Sequence, residues 1–239
     1  MKILVLIPAR LESTRLPKKP LININGKSMI ETVYNQIKKC KNDLDILIAT
    51  DSKEIYDHTL LFNAKTIMTN KNHISGTDRC NEVVKSLNID YDLIINVQAD
   101  EPLINPKQID KIIDSFGVCS DDIISLAKKI TSKNEIHNPN TVKVNFNKEM
   151  IATDFYRDVE KESLTYYKHI GIYAFKKGIL QKLCALHPSE NELKLKLEQL
   201  RWMDNNYKIK IIETNFESIS IDTKDDLNNL LEYYKKAGN

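Results

Sequence analysis

The chain has 239 residues, with 35 Lys and Arg against 33 Asp and Glu, so its formal net charge is only +2. This balance argues against a dedicated nucleic-acid binder, which normally carries a strong basic excess. No apolar stretch approaches the roughly 18 residues of a membrane span, and the apolar run near the start is too short for a signal peptide. We therefore expect a soluble, cytoplasmic protein, folded as a single domain over residues 1–239. Neither a zinc cluster nor a disulfide framework is indicated by the four scattered cysteines, Cys40, Cys80, Cys119 and Cys184.

A polar, proline-rich segment follows the first apolar run. Residues 3–7 predict a buried strand. Three prolines stiffen residues 8–20, which we predict to be an ordered loop that neither continues the strand nor begins a helix. Such a loop lies beyond the carboxyl end of the first strand, where open α/β sheets bind ligands. It carries four cations and two hydroxyls: Arg10, Arg15, Lys18, Lys19, Ser13 and Thr14.

These cations predict a ligand of the polyphosphate type. No glycine occurs between Met1 and Asn25, which excludes the G-x-G-x-x-G and P-loop fingerprints, because both need glycine where backbone approaches phosphate. Side chains must therefore hold the phosphates, and the spacing of Arg10, Arg15 and Lys19 lets them converge. A solvated basic turn is the alternative, since charge runs usually face water. The buried strand and the prolines favour the binding loop.

Strand and helix patterns alternate through the first half of the chain. This alternation predicts a parallel sheet with right-handed crossovers. The second half is more mixed, and we expect some antiparallel pairing there, in a small inserted ribbon or subdomain at about residues 147–175. The predicted strands are 46–50, 66–68, 93–97, 123–130, 142–146, 170–175, 209–213 and 218–221, and the predicted helices are 28–39, 52–61, 78–87, 178–185, 192–205 and 224–235.

Two aspartates follow predicted strands. Asp100, in the segment Gln98-x-Asp100-Glu101-Pro102, would project into the same crevice as the basic loop. A carboxylate facing a phosphate is repulsive unless a cation lies between them, and Mg²⁺ binds through one or two carboxylates plus phosphate oxygens. Asp222 also ends a short predicted strand, so the two carboxylates suit one metal site. A helix N-cap is the alternative for Asp222, and its spacing leaves both open.

Three further segments carry weaker signals. Ser75 precedes a predicted helix, where backbone N–H groups and hydroxyls are available for a base or phosphate, or where it is a plain N-cap. His169, in a predicted strand, is by itself more typical of a structural histidine. Residues 197–201 lie on an amphipathic helix, for which a solvated charged face is the default.

Taken in order, these segments resemble the 3-deoxy-manno-octulosonate (Kdo) cytidylyltransferase family, the CMP-Kdo synthetases. The resemblance spans almost the whole chain, and its specificity comes from the set rather than from any one piece. The segments are Pro8-Ala9-Arg10-x-x-Ser13-Thr14-Arg15-Leu16-Pro17-x-Lys19-Pro20-Leu21, Ala49-Thr50-Asp51, Ser75-Gly76-Thr77-Asp78-Arg79, Asn96-Val97-Gln98-x-Asp100-Glu101-Pro102, Asn138-Pro139-Asn140-x-Val142-Lys143, Lys168-His169-x-Gly171-Ile172-Tyr173, Leu197-Glu198-Gln199-Leu200-Arg201 and Asp222-Thr223.

The resemblance implies a reaction in which CTP and the acidic sugar Kdo give CMP-Kdo and pyrophosphate, for lipopolysaccharide or capsule synthesis. It also implies a Mg²⁺-dependent homodimer with a Rossmann-like fold of the nucleotide-diphospho-sugar transferase type, with the 147–175 insertion serving the sugar side and the dimer contact. Catalysis of this kind depends on alignment and charge neutralisation. By position, the family's roles fall on Arg10, Arg15 and Lys19 for the triphosphate, Ala9, Ser75 and Gln98 for cytidine, Asp100 and Asp222 for Mg²⁺, and Arg157, His169, Glu198 and Gln199 for the sugar, with Arg10, Lys19 and Asp100 as the catalytic groups.

The chain departs from the family pattern in places. Lys18 and Ala99 stand where glycine is usual, and Leu195 where glutamate is usual. Residues 154–160 keep Arg157 as the carboxylate partner but differ from the family's segment, and a shortened loop follows to Tyr167. The acceptor is therefore left open between Kdo, its 8-amino-3,8-dideoxy analogue, and another acidic sugar or a phosphonate. A non-catalytic module that binds CTP without releasing pyrophosphate is the alternative from another class.

Overall fold

The computed structural model describes residues 1–13, 15–117, 121–159 and 165–236. Thr14, Cys119 and Glu160, which the sequence analysis named, lie outside that part of the chain. The chain forms two compact units, one made of Met1–Ile109 with Glu217–Asn239 and the other of Asp110–Phe216. The single domain predicted over residues 1–239 stays a prediction. No helix in the described ranges is both long and apolar enough to cross a membrane.

The first unit is built on a parallel sheet. Its strands run in the order β6 (Leu93–Asn96), β1 (Ile3–Ala9), β4 (Asp45–Thr50) and β5 (Thr66–Met68). Leu6 of β1 lies beside Leu47 of β4 on one side and Asn96 of β6 on the other. The strands of such a sheet read as apolar runs because helices cover both faces. Its elements are β1 (Ile3–Ala9), a 3-10 helix (Lys19–Leu21), β2 (Asn23–Ile24), β3 (Lys27–Ser28), α1 (Met29–Ile37), β4 (Asp45–Thr50), α2 (Lys53–Leu60), β5 (Thr66–Met68), α3 (Gly76–Ser86) and β6 (Leu93–Asn96).

Serine caps fix where three helices of this unit begin. Ser28, Ser52 and Ser75 each accept a hydrogen bond from the backbone N–H three residues on, at the starts of α1, α2 and α3. Such a cap satisfies one of the free N–H groups of the first turn and is worth about 1 kcal/mol. The helices therefore begin where the polar residue precedes the apolar stripe, although α3 begins at Gly76, two residues before its predicted start.

The basic loop is shorter than predicted. β1 continues through Pro8 and Ala9, which pair with Ala49 and Thr50 of β4, so the prediction that the strand stops after residue 7 was wrong by two residues. Proline is tolerated there because the pairing of β1 with β6 has already ended at Leu6. The loop starts at residue 10 and ends in the 3-10 helix, which Lys18 precedes in the left-handed conformation (φ 53°).

The second unit contains antiparallel pairs. β10 (Tyr167–Lys176) pairs antiparallel with β7 (Ile123–Lys129) and with β8 (Lys143–Phe146). β8 also pairs antiparallel with β9 (Ala152–Tyr156), and β11 (Ile209–Glu213) pairs parallel with β7. Together with the parallel sheet of the first unit, this confirms the predicted α/β class with a small antiparallel part. The elements are β7 (Ile123–Lys129), α5 (Lys133–Ile136), β8 (Lys143–Phe146), β9 (Ala152–Tyr156), β10 (Tyr167–Lys176), α6 (Ile179–Cys184), α7 (Glu190–Leu195), α8 (Glu198–Asp204) and β11 (Ile209–Glu213); α4 (Pro106–Phe116) crosses the boundary, and α9 (Lys224–Lys236) belongs to the first unit.

Two further predictions differ from the structure in which elements form. The helix predicted over residues 192–205 is two helices, α7 and α8, because Lys196 adopts the left-handed conformation (φ 54°) and ends α7. The strand predicted over residues 218–221 is not formed. That segment is held instead by individual hydrogen bonds to the residues that follow β6, described below.

Candidate active site

The basic loop lines a cavity of about 260 Å³ in the first unit, beside the carboxyl ends of β1 and β6. Cationic and acidic side chains face each other across it, which suits a ligand that carries phosphates and a bridging cation. Its walls are Pro8, Ala9, Arg10, Glu12, Ser13, Arg15, Lys19, Pro20, His73, Ile74, Ser75, Gly76, Arg79, Gln98, Ala99, Asp100 and Asp222. All eight first-unit residues that the resemblance assigned to the site are among them.

Lys19 joins the two aspartates. Its Nζ donates to Asp100 Oδ2 at 2.5 Å and to Asp222 Oδ1 at 3.0 Å. Arg15 Nη2 lies 3.1 Å from the same oxygen of Asp222. Burial alone would lower the pKa of Lys19, but the charges and hydrogen bonds of the two carboxylates outweigh it, and the pKa is raised above its usual 10.5. The carboxylates from distant segments therefore converge on one cation.

Backbone contacts explain this convergence. Ile221 N donates to the carbonyl of Asp100 at 2.9 Å, which places the two acidic segments side by side. Ser218 Oγ donates to Glu101 Oε2 at 2.5 Å in a buried position. The fully buried Ile221 packs in an apolar cluster that includes Leu16 from the end of the basic loop. One cluster thus anchors both the loop and the returning chain.

The structure separates the two interpretations of Asp222. Asp226 Oδ2 accepts from the backbone N–H of Asp222 and Thr223, and Thr223 Oγ1 accepts from Asp226 N at 3.2 Å. Thr223 and Asp226 thus form the reciprocal cap of α9. The carboxylate of Asp222 contacts Lys19 and Arg15 instead, so its side chain faces the cavity rather than capping the helix.

The donor set is compatible with Mg²⁺. Across the described ranges, no group of three or more His, Cys, Asp or Glu side chains forms a metal cage. Mg²⁺ does not require one, since it commonly binds through one or two carboxylates, waters and substrate phosphates. Asp100 and Asp222 supply two carboxylates that already face a shared cation, the ammonium of Lys19. The residues fit the predicted metal.

The N-terminus of α3 forms another wall. Ser75 caps the helix by accepting from Asp78 N at 3.0 Å, so the N-cap interpretation holds, and the residue also lines the cavity. A Cβ added at Gly76 would lie 3.0 Å from Pro8 Cγ and 3.3 Å from Gln98 Oε1. Glycine therefore permits this close approach. Gln98 Nε2 donates to Asn96 Oδ1 at 3.1 Å, which orients the Gln98 amide.

Arg79 is a cavity residue to which the sequence analysis gave no role. It is buried, with Nη2 2.8 Å from Asp51 Oδ2 and Nη1 2.5 Å from Thr69 Oγ1. Asp51 and Arg79 belong to two of the motifs quoted for the resemblance, and the structure shows that they bind each other. Arg79 lies four residues after Ser75 on the same helix face, and this spacing was the available signal.

His169 lies in the second unit, on β10. Its Nε2 shares a hydrogen bond of 2.9 Å with Ser125 Oγ, and its ring contacts Phe155 and Tyr173, with centroids 4.9 and 5.4 Å away. Burial lowers the pKa of His169 to about 3, so the ring is neutral at pH 7. A neutral imidazole provides directed hydrogen bonds rather than a charge.

Tyr173 is a second residue that the sequence analysis left without a role. Its hydroxyl is buried and has no hydrogen-bond partner among the described residues. Burial first, and then the charge of Glu198, raise its pKa well above 10. An unpaired buried hydroxyl is costly, so a polar ligand group is a natural partner for it. Nothing in its sequence position gave this signal.

Arg157 is anchored within the second unit. Its Nη1 donates to Pro139 O at 3.1 Å and its Nε to Leu195 O at 3.5 Å, and its carbonyl accepts from Lys143 Nζ at 2.6 Å. Lys143 is fully buried, and burial lowers its pKa. Contact with Leu195 brings Arg157 near the start of α8, which carries the two remaining predicted sugar residues, Glu198 and the buried Gln199.

The low pKa of His169 predicts how stability changes with pH. An unfolded histidine has a pKa near 6.5, so between that value and about 3 the unfolded chain binds a proton that folded His169 does not. The free energy of unfolding should therefore fall by up to about 1.4 kcal/mol per pH unit as the pH drops below 6.5. In His169→Gln this contribution is lost. Urea titrations at pH 7.5 and pH 5 should show the wild type losing about 2 kcal/mol more than the variant; equal losses would contradict the prediction.

Comparisons with known proteins point to one family. A family model described as cytidylyltransferase matches residues 4–211. Two relatives are named 3-deoxy-manno-octulosonate cytidylyltransferase: one from Cytophaga hutchinsonii, 42% identical over 95% of this chain and 95% of its own, and one from Fusobacterium nucleatum subsp. nucleatum, 41% identical over 99% and 98%.

Solved structures show the same likeness. A CMP:2-keto-3-deoxy-manno-octonic acid synthetase complexed with CTP superimposes with a TM-score of 0.92 and 33% identity, covering 99% of this chain and 100% of its own. A 4-diphosphocytidyl-2C-methyl-D-erythritol synthase from Anaerococcus prevotii, at a TM-score of 0.65 and 15% identity over 98% of each chain, shares the fold.

Proposed function

Because the chain belongs to the 3-deoxy-manno-octulosonate cytidylyltransferase family, we propose that it is the enzyme that makes CMP-Kdo and pyrophosphate from CTP and Kdo. The observation that carries this proposal is the cavity in which Arg10, Arg15 and Lys19 face Asp100 and Asp222. Such a set neutralises and aligns a nucleoside triphosphate, which is most of what phosphoryl-type transfer requires.

In this mechanism the cationic side chains hold the triphosphate and stabilise the charge that develops as pyrophosphate leaves. The amide of Gln98, oriented by Asn96, and the capped end of α3 at Ser75 bind the nucleoside beside Ala9. The anomeric hydroxyl of the sugar attacks the α-phosphorus in line. In the second unit, Arg157 would bind the sugar carboxylate, while His169, Glu198 and Gln199 would orient the hydroxyls. The buried hydroxyl of Tyr173 is a further candidate for a sugar contact.

We extend the proposal to a dependence on Mg²⁺, to homodimeric assembly and to a cytoplasmic location. Asp100 and Asp222 would hold the metal, which when bound neutralises phosphate charge and acidifies a coordinated hydroxyl. Their convergence on one ammonium group supports this part. The homodimer rests on the family resemblance alone, and the cytoplasmic location rests on the expectation from the apolar pattern of the sequence. The metal dependence is tested by removing divalent ions with EDTA and restoring turnover with Mg²⁺.

An acceptor panel tests the proposed function. Purified protein is incubated with Mg²⁺, one of the four NTPs and one acceptor, and pyrophosphate release is measured. The acceptors are Kdo, its 8-amino-3,8-dideoxy analogue, another acidic sugar and a phosphonate. We expect turnover with CTP and Kdo to exceed every other pair. Equal rates with all nucleotides would contradict the assignment, and CTP binding without pyrophosphate release would identify a non-catalytic module.

A further inference from the structure

The ammonium group of Lys19 lies where the two acidic side chains of the cavity meet. Its Nζ is 2.5 Å from Asp100 Oδ2 and 3.0 Å from Asp222 Oδ1, and its side chain is only 15% exposed. An ammonium group is a compact point charge with three donors. It therefore satisfies one oxygen of each carboxylate at once and offsets the repulsion between the two acids.

We propose that Lys19 is an internal counter-cation that competes with the divalent ion for Asp100 and Asp222, so that metal binding releases its ammonium group to the triphosphate. This inference rests on the proposed function, because it concerns the same two carboxylates. It adds a role for Lys19 before any phosphate is bound: the ammonium group occupies the oxygens of Asp100 and Asp222 that the metal would need.

Charge and geometry require the competition. A divalent ion bound by the same carboxylate oxygens would lie within a few ångströms of the ammonium group, and two cations at that separation repel strongly in a partly buried site. Lys19 has a flexible four-carbon side chain at the end of the basic loop, and Arg10 and Arg15 of that loop line the same cavity. A phosphate oxygen in the cavity gives the displaced ammonium group a new anionic partner.

Binding of the metal and binding of the triphosphate are then positively cooperative. A triphosphate that attracts Lys19 removes a competitor of the metal, and a metal that displaces Lys19 frees a donor for the triphosphate. Such coupling is reciprocal by thermodynamic linkage. Arg15 contacts Asp222 at 3.1 Å in an exposed position, but it does not join Asp222 to Asp100 as Lys19 does. The coupling therefore depends on Lys19.

Binding of Mn²⁺ without nucleotide, followed by the electron paramagnetic resonance signal of the free ion, tests the inference without relying on activity. We expect Lys19→Met to bind Mn²⁺ about fivefold more tightly than the wild type, because the loss of one competing ion pair is worth about 1 kcal/mol. Lys18→Met is the matched control: Lys18 is exposed and pairs with Glu54, so Mn²⁺ affinity should not change.

A double variant shows where the gain arises. Adding Asp222→Asn to Lys19→Met should abolish the gain; a gain that persists there would belong to another site and would overturn the inference. Equal or weaker Mn²⁺ binding in Lys19→Met would overturn it as well. Lys19→Gln provides the same comparison if the Met variant melts at a lower temperature than the wild type. Pyrophosphate release by the wild type is measured separately, so failure of the proposed function is distinguished from failure of this coupling.

Discussion

Asp100→Asn should lower pyrophosphate release from CTP and Kdo by about 10²- to 10³-fold while leaving the protein folded. The amide keeps the size of the side chain but removes one of the two negative charges that would hold the metal, and loss of one preorganised electrostatic group commonly costs this much in rate. The side chain is partly exposed, with Lys19 Nζ as its close partner, so little packing is lost. Initial rates at saturating CTP measure the effect, and thermal melting checks the fold.

Asp57→Asn is the matched control for this change. Asp57 lies on α2, is exposed and pairs with Lys53 one helical turn earlier, and it does not line the cavity. Its variant should keep wild-type turnover. Near-normal turnover of Asp100→Asn at the same Mg²⁺ concentration would show that Asp100 does not hold the metal. The assignment of a metal shared between Asp100 and Asp222 would then be wrong.

The parallel sheet could be predicted from the sequence because its signals are local. Apolar runs such as residues 93–97 identify buried strands, and serines such as Ser28 mark where helices begin. The carboxyl ends of parallel strands meet at one edge of a sheet, and this places Asp100 beside the basic loop without further information. The cavity was thus predictable from the parallel strands and the charges that follow them.

The errors arose where distant contacts or unusual backbone conformations decide the structure. Lys196 adopts a left-handed conformation that few side chains favour, so the helical pattern of residues 192–205 gave no warning of a break. Residues 218–221 have a strand-like sequence, but Ile221 bonds to the carbonyl of Asp100 instead of joining a sheet. The left-handed Lys18 (φ 53°) explains physically why glycine would suit that position.

The parts of the site that sequence reasoning missed have a similar cause. Arg79 bonds to Asp51, and the hydroxyl of Tyr173 is recognised only by its burial without a partner. Apart from the spacing of Arg79 from Ser75, these properties depend on contacts between residues distant in the sequence. Asp222 shows the opposite case, because its two interpretations were equally consistent with its spacing and only the cap formed by Thr223 and Asp226 separated them.

Arg201 forms the ion pair that joins α7 to α8. We expect its replacement to lower the free energy of unfolding far more than the loss of an exposed ion pair does. Its Nε and Nη2 donate to the two oxygens of Glu192 at 2.7 and 2.6 Å, and its Nη1 donates to Leu186 O at 3.3 Å. Both side chains are about nine-tenths buried. Arg201→Met would leave the carboxylate of Glu192 buried without this partner, and breaking one side of a buried pair typically costs 3–5 kcal/mol.

Urea unfolding measures this loss, and two comparisons identify its origin. Lys53→Met breaks an exposed ion pair and should cost less than about 1 kcal/mol. Adding Glu192→Leu to Arg201→Met should restore part of the lost stability, because removing the second charge relieves its desolvation. Part of the loss will remain, since Glu192 also bonds to the backbone N–H of Ser189 at the start of α7. If Arg201→Met lost no more stability than Lys53→Met, the ion pair between Arg201 and Glu192 would not be the contact that holds α7 against α8.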